Sequence, residues 1–173
     1  MRSVEILLVE DSPSDVRLIR EALKESTLPV RLTVARDGVE ATDLLLKVQA
    51  GYETRPDLIL LDLNLPRKNG REVLAEVKAS PTLKQIPVLV MTSSTNDEDI
   101  AEVYSLNANC YIHKPADLQQ YLNAVRAIEE FWFVTATLPE SFHFQHLVSS
   151  AGLGAASIGM GASGSVCRNK SGF

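Results

Sequence analysis

The sequence predicts an α/β protein in which five parallel strands form one doubly wound sheet. Three observations lead to this prediction. Apolar runs alternate five times with segments of helical periodicity. Two of the runs, DLILLD (57–62) and IPVLVMT (86–92), are almost continuously apolar, as is typical of strands buried on both faces. Alternation of strands and helices favours right-handed crossovers, which place helices on both faces of a parallel sheet.

The apolar runs define the positions of the five strands. In chain order, the predicted strands are Val4–Val9, Val30–Ala35, Asp57–Asp62, Ile86–Thr92 and Asn109–His113.

The helices between these strands are predicted from their start signals and apolar periodicity. Ser12 is a capping residue and Pro13 suits the first helical position, so the first helix begins there. Acidic residues at the start of the fourth helix suit the positive end of its dipole. The second helix is predicted to begin near Asp37-Gly38. The third follows Asn69-Gly70 and ends by Ser80-Pro81. The fourth begins at Asn96-Asp97-Glu98, and the fifth runs from about Asp117 to Phe131 or slightly beyond.

Composition excludes several classes of protein. The formal net charge of -5 argues against nucleic acid as the main partner, because phosphate-backbone binding needs a clustered basic surface. The chain has no apolar stretch of about 18 residues, so no membrane span is predicted. Strand-like sequence begins at Val4, which leaves no room for a signal peptide. Cys110 and Cys167 lack metal-ligand spacing, and a reducing compartment, the cytoplasm, is expected.

The C-terminal region has a different character from the rest of the chain. The stretch SSAGLGAASIGMGASGS (149–165) is rich in glycine, alanine and serine, and it has no helical or strand period. We therefore predict a folded domain over residues 1–139 and a flexible or non-native tail over residues 140–173.

Polar residues follow the predicted strands at one edge of the sheet, where ligands of open parallel sheets bind. The first strand ends at Glu10 and Asp11, and the third ends at Asp62. Thr92 ends the fourth strand, and Lys114 follows the fifth. Each of these residues alone would more often be an ordinary solvated strand end or turn cap. Their joint placement favours a functional site.

The residue types suit phosphoryl chemistry around a small divalent cation. Glu10, Asp11 and Asp62 offer hard oxygen ligands of the kind that Mg²⁺ prefers, and the cation would offset their mutual repulsion. Asp62 is then the candidate nucleophile, since a carboxylate can attack phosphorus to form an acyl phosphate. Lys114 would stabilise negative charge on phosphoryl oxygens. Thr92 could bond a phosphoryl oxygen, and the backbone carbonyl of Asn64 could complete the metal shell.

The chain resembles the receiver domains of two-component response regulators. The resemblance covers about residues 4–134 and rests on LLVEDSPSD (7–15), DLILLDLNLPRKNG (57–70), VLVMTSS (88–94) and YIHKPADL (111–118). It implies the flavodoxin-like fold of five strands and five helices. Within the family, the segment of residues 49–78 and the helix end AIEEFWF (127–133) resemble the small regulators paired with cyanobacterial phytochrome histidine kinases.

The resemblance implies a role for each residue of the site. Asp62 would be the phosphoacceptor, Lys114 would pair with it, and Thr92 would shift toward the phosphoryl group. The groups implied to bind Mg²⁺ are Glu10, Asp11, Asp62 and the backbone carbonyl of Asn64. Tyr111 would turn inward when Thr92 shifts. Pro115 would be preceded by a cis peptide bond. Glu10 departs from the pair of aspartates that many receivers have, which should alter metal affinity more than chemistry.

This resemblance implies a single-domain response regulator that accepts a phosphoryl group from a sensor histidine kinase. Such a protein catalyses only its own phosphotransfer and slow dephosphorylation, so it is not expected to act as an enzyme on other substrates. A phosphatase with an aspartyl nucleophile needs a second acid where this chain has Asn64. A binding module independent of phosphorylation remains the alternative, although it could lose Asp62, Thr92 or Lys114 without penalty.

The predicted last helix ends in three consecutive aromatic residues, Phe131, Trp132 and Phe133. Successive helical side chains point about 100° apart, so at least one of the three should be exposed. Exposed aromatic residues often mark interfaces. We predict a homodimer or kinase-docking surface here, within a face formed by helix 4, strand 5 and helix 5. Alternatively, the chain leaves the helix and folds an aromatic side chain under a loop.

Overall fold

A computed structural model describes residues 2–26 and 28–139 of the chain. Five strands form one parallel sheet in the order β2-β1-β3-β4-β5, which confirms the predicted doubly wound fold. The strands are β1 (Val4–Val9), β2 (Val30–Ala35), β3 (Leu58–Leu61), β4 (Val88–Thr92) and β5 (Cys110–His113). The predicted tail of residues 140–173 lies outside the described residues.

Five α-helices connect and follow these strands, and each begins at the capping residue that the sequence indicated. Their bounds are α1 (Pro13–Lys24), α2 (Gly38–Gln49), α3 (Gly70–Ala79), α4 (Asp97–Ser105) and α5 (Leu118–Glu129). The side chains of Ser12, Asp37, Asn69, Asn96 and Asp117 accept hydrogen bonds from backbone N–H groups of the first turns. Among the described residues, no helix is long and apolar enough to cross a membrane.

Alternate residues of each inner strand pack on opposite faces of the sheet. In β3, Ile59 and Leu61 pack with side chains of α2 and α3, whereas Leu58 and Leu60 pack with side chains of α1 and α5. Both faces of this strand are therefore buried, which explains its continuous apolar run. Charged and polar groups on the inner strands are consequently placed at their ends.

Three strands are shorter than predicted, since β3 begins at Leu58 and ends at Leu61, β4 begins at Val88, and β5 begins at Cys110. The Asp57 carboxylate accepts a hydrogen bond from the backbone N–H of Glu5 at 2.9 Å, and it pairs with Arg2. β4 begins after Pro87, whose nitrogen carries no hydrogen for the ladder. These differences move no side chain of the predicted site.

The end of α5 differs from the continuous helix that the sequence predicted. The regular helix ends at Glu129, and a π-helical segment follows over Glu130–Thr135. Trp132 and Phe133 pack partly buried against the α1 and α5 side of the core, whereas Phe131 is 54 % exposed. The expectation that at least one aromatic side chain would be exposed is confirmed.

The first residue of α3 must be glycine because α3 starts directly beneath the end of β3. The Gly70 N–H donates to the carbonyl oxygen of Leu63 at 3.0 Å. A Cβ atom at Gly70 would overlap the Asp62 carbonyl oxygen and lie 2.8 Å from the Cα atom of Leu63. Both obstructing groups belong to the backbone, so a side chain could enter only by displacing the segment that carries Asp62.

Gly70→Ala should therefore lower the free energy of unfolding by about 1–3 kcal/mol, the usual range for overpacking. Urea denaturation measures this change. Wild-type stability of Gly70→Ala would contradict the close approach of α3 to β3.

Candidate functional site

The carboxyl ends of β1, β3, β4 and β5 bring the predicted polar residues to one edge of the sheet. Glu10 and Asp11 follow β1, and Asp62 follows β3. Ligand oxygens of these three carboxylates all lie within 4.8 Å of one another. Glu10 and Asp62 are buried, with exposures of 2 % and 6 %, whereas Asp11 is exposed. The group is therefore open to solvent on the side of Asp11.

Lys114 joins this group through its ammonium nitrogen. Its Nζ atom lies 2.6 Å from Glu10 Oε2, 2.7 Å from Asp62 Oδ2 and 2.8 Å from Asp15 Oδ2. An ammonium group has three N–H donors, so these three carboxylates can use all of them. The Lys114 side chain is only 9 % exposed, which makes the pairing necessary for its burial.

Asp15 is the site residue that reasoning from the sequence missed. It lies in the first turn of α1, and its backbone N–H donates to Ser12 Oγ at 3.3 Å. The available signal was its position four residues after Asp11 in the first turn of a helix. A helix that follows β1 begins at the edge where the other carboxylates lie, so a carboxylate in its first turn lies near them.

Burial and charge act in opposite directions on these groups. Burial raises the pKa of the Glu10 carboxyl, and Asp62 adds to that rise, although the hydrogen bond and charge of Lys114 partly offset it. Burial alone would lower the pKa of Lys114. Hydrogen bonds to Asp15, Asp62 and Glu10 outweigh this effect, and the net pKa is raised. Lys114 is thus held as an ammonium ion in a site with more carboxylates than cations.

The carboxylate group fits a hard divalent cation. Its donors are all oxygens, as Mg²⁺ and Mn²⁺ prefer. The buried carboxylates are fixed on their other oxygens, because Ser12 N–H donates to Glu10 Oε1 and Asn64 N–H donates to Asp62 Oδ1, each at 3.1 Å. The role of the Asn64 backbone carbonyl as a ligand stays a prediction.

Thr92 and Tyr111 lie on neighbouring strands and both contact the segment after β4. Thr92 is fully buried, and its Oγ1 atom accepts hydrogen bonds from Asn64 Nδ2 and Ser94 N, each at 3.4 Å. The Tyr111 hydroxyl donates to the carbonyl oxygen of Ser94 at 2.8 Å. The structure therefore links both predicted switch residues to Ser94. Their switching roles stay predictions.

The predicted cis bond before Pro115 is wrong. The described residues contain no cis peptide bond, so the bond from Lys114 to Pro115 is trans. Even before proline, the trans isomer is favoured by about 0.5–1 kcal/mol. The Lys114 N–H donates to the Thr92 carbonyl at 2.8 Å, so the trans chain places the lysine in the site while continuing the contact between β5 and β4.

The aromatic residues after α5 contact each other and the core. The rings of Phe131 and Trp132 meet edge to face, with centroids 5.3 Å apart and an interplanar angle of 84°. Trp132 and Phe133 pack partly against the core. Of the three, Phe131 has the most exposed ring, and the predicted interface role stays a prediction.

Comparisons with known proteins agree with this geometry. The family model described as the response regulator receiver domain matches residues 6–126. Response regulator Rcp1 of Synechocystis sp. is 52 % identical over 136 residues, which cover 78 % of this chain and 92 % of that protein. A probable methanogenesis regulatory protein, FilR2 of Methanothrix harundinacea, is 39 % identical over 73 % of this chain and 82 % of its own length.

Solved structures are similar as well. The phosphorylated cyanobacterial phytochrome response regulator RcpA is 54 % identical, with a TM-score of 0.77 over 80 % of this chain and 100 % of that chain. The Mn²⁺-bound form of Rcp1 is 49 % identical, with a TM-score of 0.75 over 79 % of this chain and 99 % of that chain. Receiver domains are phosphorylated on an aspartate and interact with histidine kinases. The chain belongs to the response regulator receiver domain family.

Proposed function

We propose that Asp62 accepts a phosphoryl group from a phosphohistidine of a sensor histidine kinase, and that this modification changes the surface formed by α4, β5 and α5. The observation that carries the proposal is the contact of 2.7 Å between Lys114 Nζ and Asp62 Oδ2 beside two further carboxylates. This arrangement offers a fixed nucleophile, a fixed cation and a place for a metal.

In the proposed transfer, a carboxylate oxygen of Asp62 forms a bond to phosphorus. The bond from phosphorus to the donor imidazole nitrogen breaks, and its electron pair stays on that nitrogen. Lys114 pairs with negative charge on the phosphoryl oxygens. Glu10, Asp11 and Asp62 would hold Mg²⁺, which when bound neutralises phosphoryl charge. The backbone carbonyl of Asn64 is proposed as a further ligand. In this mechanism the protein catalyses only reactions of its own Asp62.

The rival functions are less well supported. An aspartyl phosphatase would need a second acid at Asn64, whose amide cannot donate or accept a proton in that role. A binding module independent of phosphorylation has no need of a lysine buried among three carboxylates. Such an arrangement is costly to maintain unless it serves a purpose.

A phytochrome-type histidine kinase is the proposed donor. Support comes from the 54 % identity to RcpA, a cyanobacterial phytochrome response regulator. We also propose the cytoplasm as the compartment, because Cys110 is a free thiol, as expected under reducing conditions.

Phosphorylation can be tested without knowing the kinase. Incubation with Mg²⁺ and a small acyl phosphate should add the mass of one phosphoryl group to the intact protein, because the donor replaces phosphohistidine. Asp62→Ala should show no gain, and neither should the wild type when the metal is chelated. Intact-mass spectrometry measures all three. The absence of any gain in folded wild-type protein would favour the binding module.

The signal is proposed to leave the site through Thr92. Once Asp62 carries a phosphoryl group, Thr92 would bond one of its oxygens, and Tyr111 would turn inward into the space that is vacated. Support comes from Ser94, which contacts both residues. Phosphorylation can shift the equilibrium between the unswitched and the switched conformation only by the difference in their free energies of interaction with the phosphoryl group.

Thr92→Ala should retain phosphorylation of Asp62 but lose the change of surface, because the methyl side chain cannot bond the phosphoryl oxygen. Hydrogen exchange of α4, β5 and α5, with and without the phosphoryl donor, measures this change. Thr95→Ala is a suitable control, since Thr95 is exposed in the same loop. Equal changes in Thr92→Ala and wild type would rule out this route.

The face formed by α4, β5 and α5 is also the proposed homodimer interface. Four of the exposed large apolar side chains belong to these elements or follow α5, namely Tyr104 (50 %) of α4, Leu118 (55 %) of α5, and Phe131 (54 %) and Val134 (68 %) after α5. Exposed apolar surface is a common feature of interfaces. A surface of this kind suits a second copy of the chain, with the kinase as a competing partner.

Phe131→Ser should weaken dimerisation, because it removes an exposed aromatic ring from the proposed interface. Sedimentation velocity over a range of concentrations, with and without phosphorylation, measures the effect. Tyr52→Ser is the matched control, since Tyr52 is 84 % exposed in the segment between α2 and β3. A monomeric wild type under both conditions would refute the dimer and favour kinase docking.

A further inference from the structure

Asp15 has no part in the site implied by the family resemblance, yet it contacts the central cation. Its Oδ2 atom lies 2.8 Å from Lys114 Nζ, and its side chain is 24 % exposed. Its backbone is fixed in the first turn of α1 by the hydrogen bond to Ser12 Oγ. The helix therefore fixes the backbone of Asp15, and the contact with Lys114 places its carboxylate.

The other two partners of Lys114 are carboxylates of the candidate metal site. Glu10 and Asp62 each use one oxygen for a backbone N–H and the other for Lys114. A divalent cation and the ammonium group therefore compete for the same two side chains. Asp15 differs, because it is not one of the three carboxylates that lie close enough together to hold a metal.

Among the described residues, Asp15 is the one carboxylate outside the metal group that pairs with Lys114. Tyr121 of α5 lies under this cluster, and its pKa is raised by burial and by the charge of Asp15. Its hydroxyl is buried and has no hydrogen-bond partner among the described residues. The ion pairs of Lys114 in the described structure are confined to Glu10, Asp62 and Asp15.

We propose that Asp15 is a positioning residue: it keeps the Lys114 ammonium paired while Glu10 and Asp62 turn to a divalent cation. This inference rests on the proposed function, because it concerns the affinity of the same site for its metal. Without Asp15, the ammonium can pair only with the metal ligands themselves. Binding of a metal would then leave a buried ammonium with fewer partners, which is unfavourable.

Asp15→Asn should therefore weaken Mg²⁺ binding by about tenfold, as is typical when a group that orients a metal site is lost. Isothermal titration calorimetry of the full chain with Mg²⁺ alone measures the affinity, and circular dichroism checks the fold of each variant. Asp15→Ser provides a second variant that cannot pair with the ammonium. Asp43→Asn is the control, because it removes the same charge from an exposed position of α2.

A double-mutant cycle with Lys114→Met separates this role from a general effect of charge. If Asp15 acts through Lys114, Asp15→Asn should have no further effect on Mg²⁺ affinity in the Lys114→Met background. The same loss in both backgrounds would overturn the inference, because Asp15 would then act on the metal directly. Unchanged affinity of Asp15→Asn in the presence of Lys114 would overturn it too.

Failure of the proposed function has a different signature. If wild-type protein bound no Mg²⁺, both the metal-dependent function and this inference would fall. If wild type bound Mg²⁺ and gained a phosphoryl group while Asp15→Asn bound the metal equally well, only the inference would fall.

Discussion

The ammonium group of Lys114 is the interaction on which the arrangement of the site depends. It connects carboxylates that follow β1 and β3 with one from α1, although up to 104 residues of sequence separate the partners. Glu10 and Asp62 are almost fully buried, and isolated buried carboxylates would be strongly unfavourable. Lysine reduces their repulsion, but one cation cannot neutralise several carboxylates. The remaining negative charge is what makes the site suitable for a metal.

The parallel sheet explains why this charge lies where it does. The inner strands are apolar on both faces, because helices cover both sides. A buried carboxylate within β3 would meet only hydrocarbon, whereas at Asp62 it meets the backbone N–H of Asn64 and the ammonium of Lys114. Gly70 lets α3 begin directly against this point, so the segment that carries Asp62 has little freedom to move. The packing of α3 against β3 and the chemistry of the site therefore both restrict the segment that carries Asp62.

Most of this arrangement could be predicted from local sequence signals. Helix caps such as Ser12 and Asn69 act through neighbouring backbone groups, so they can be recognised locally. Continuous apolar runs indicate strands that are buried on both faces. Asp15 was missed because it lies within the first turn of α1, whereas the predicted site residues were taken from the ends of strands. The π-helical segment after Glu129 was missed for another reason: an apolar helical repeat does not distinguish a π-helical turn from an α-helical one. The bond before Pro115 was inferred from resemblance alone, and there the inference failed.

Ser94 gives a physical basis for the proposed transmission from this site. Its N–H donates to Thr92 Oγ1, its carbonyl accepts from the Tyr111 hydroxyl, and its own hydroxyl donates to Asp99 of α4. Asp99 in turn pairs with Arg71 of α3, which also contacts Glu102 at 2.9 Å. If Thr92 moves, its hydrogen bond to the Ser94 N–H must lengthen. Ser94 also contacts Tyr111 of β5 and Asp99 of α4. Because the backbone of Ser94 holds two of these bonds, replacing its side chain would remove its bond to Asp99 of α4 and leave the contacts of Thr92 and Tyr111 in place. In the proposed coupling between site and surface, the backbone of Ser94 contacts Thr92 and Tyr111, and its side chain contacts α4. Substitution of Ser94 alone can therefore alter only the contact with α4.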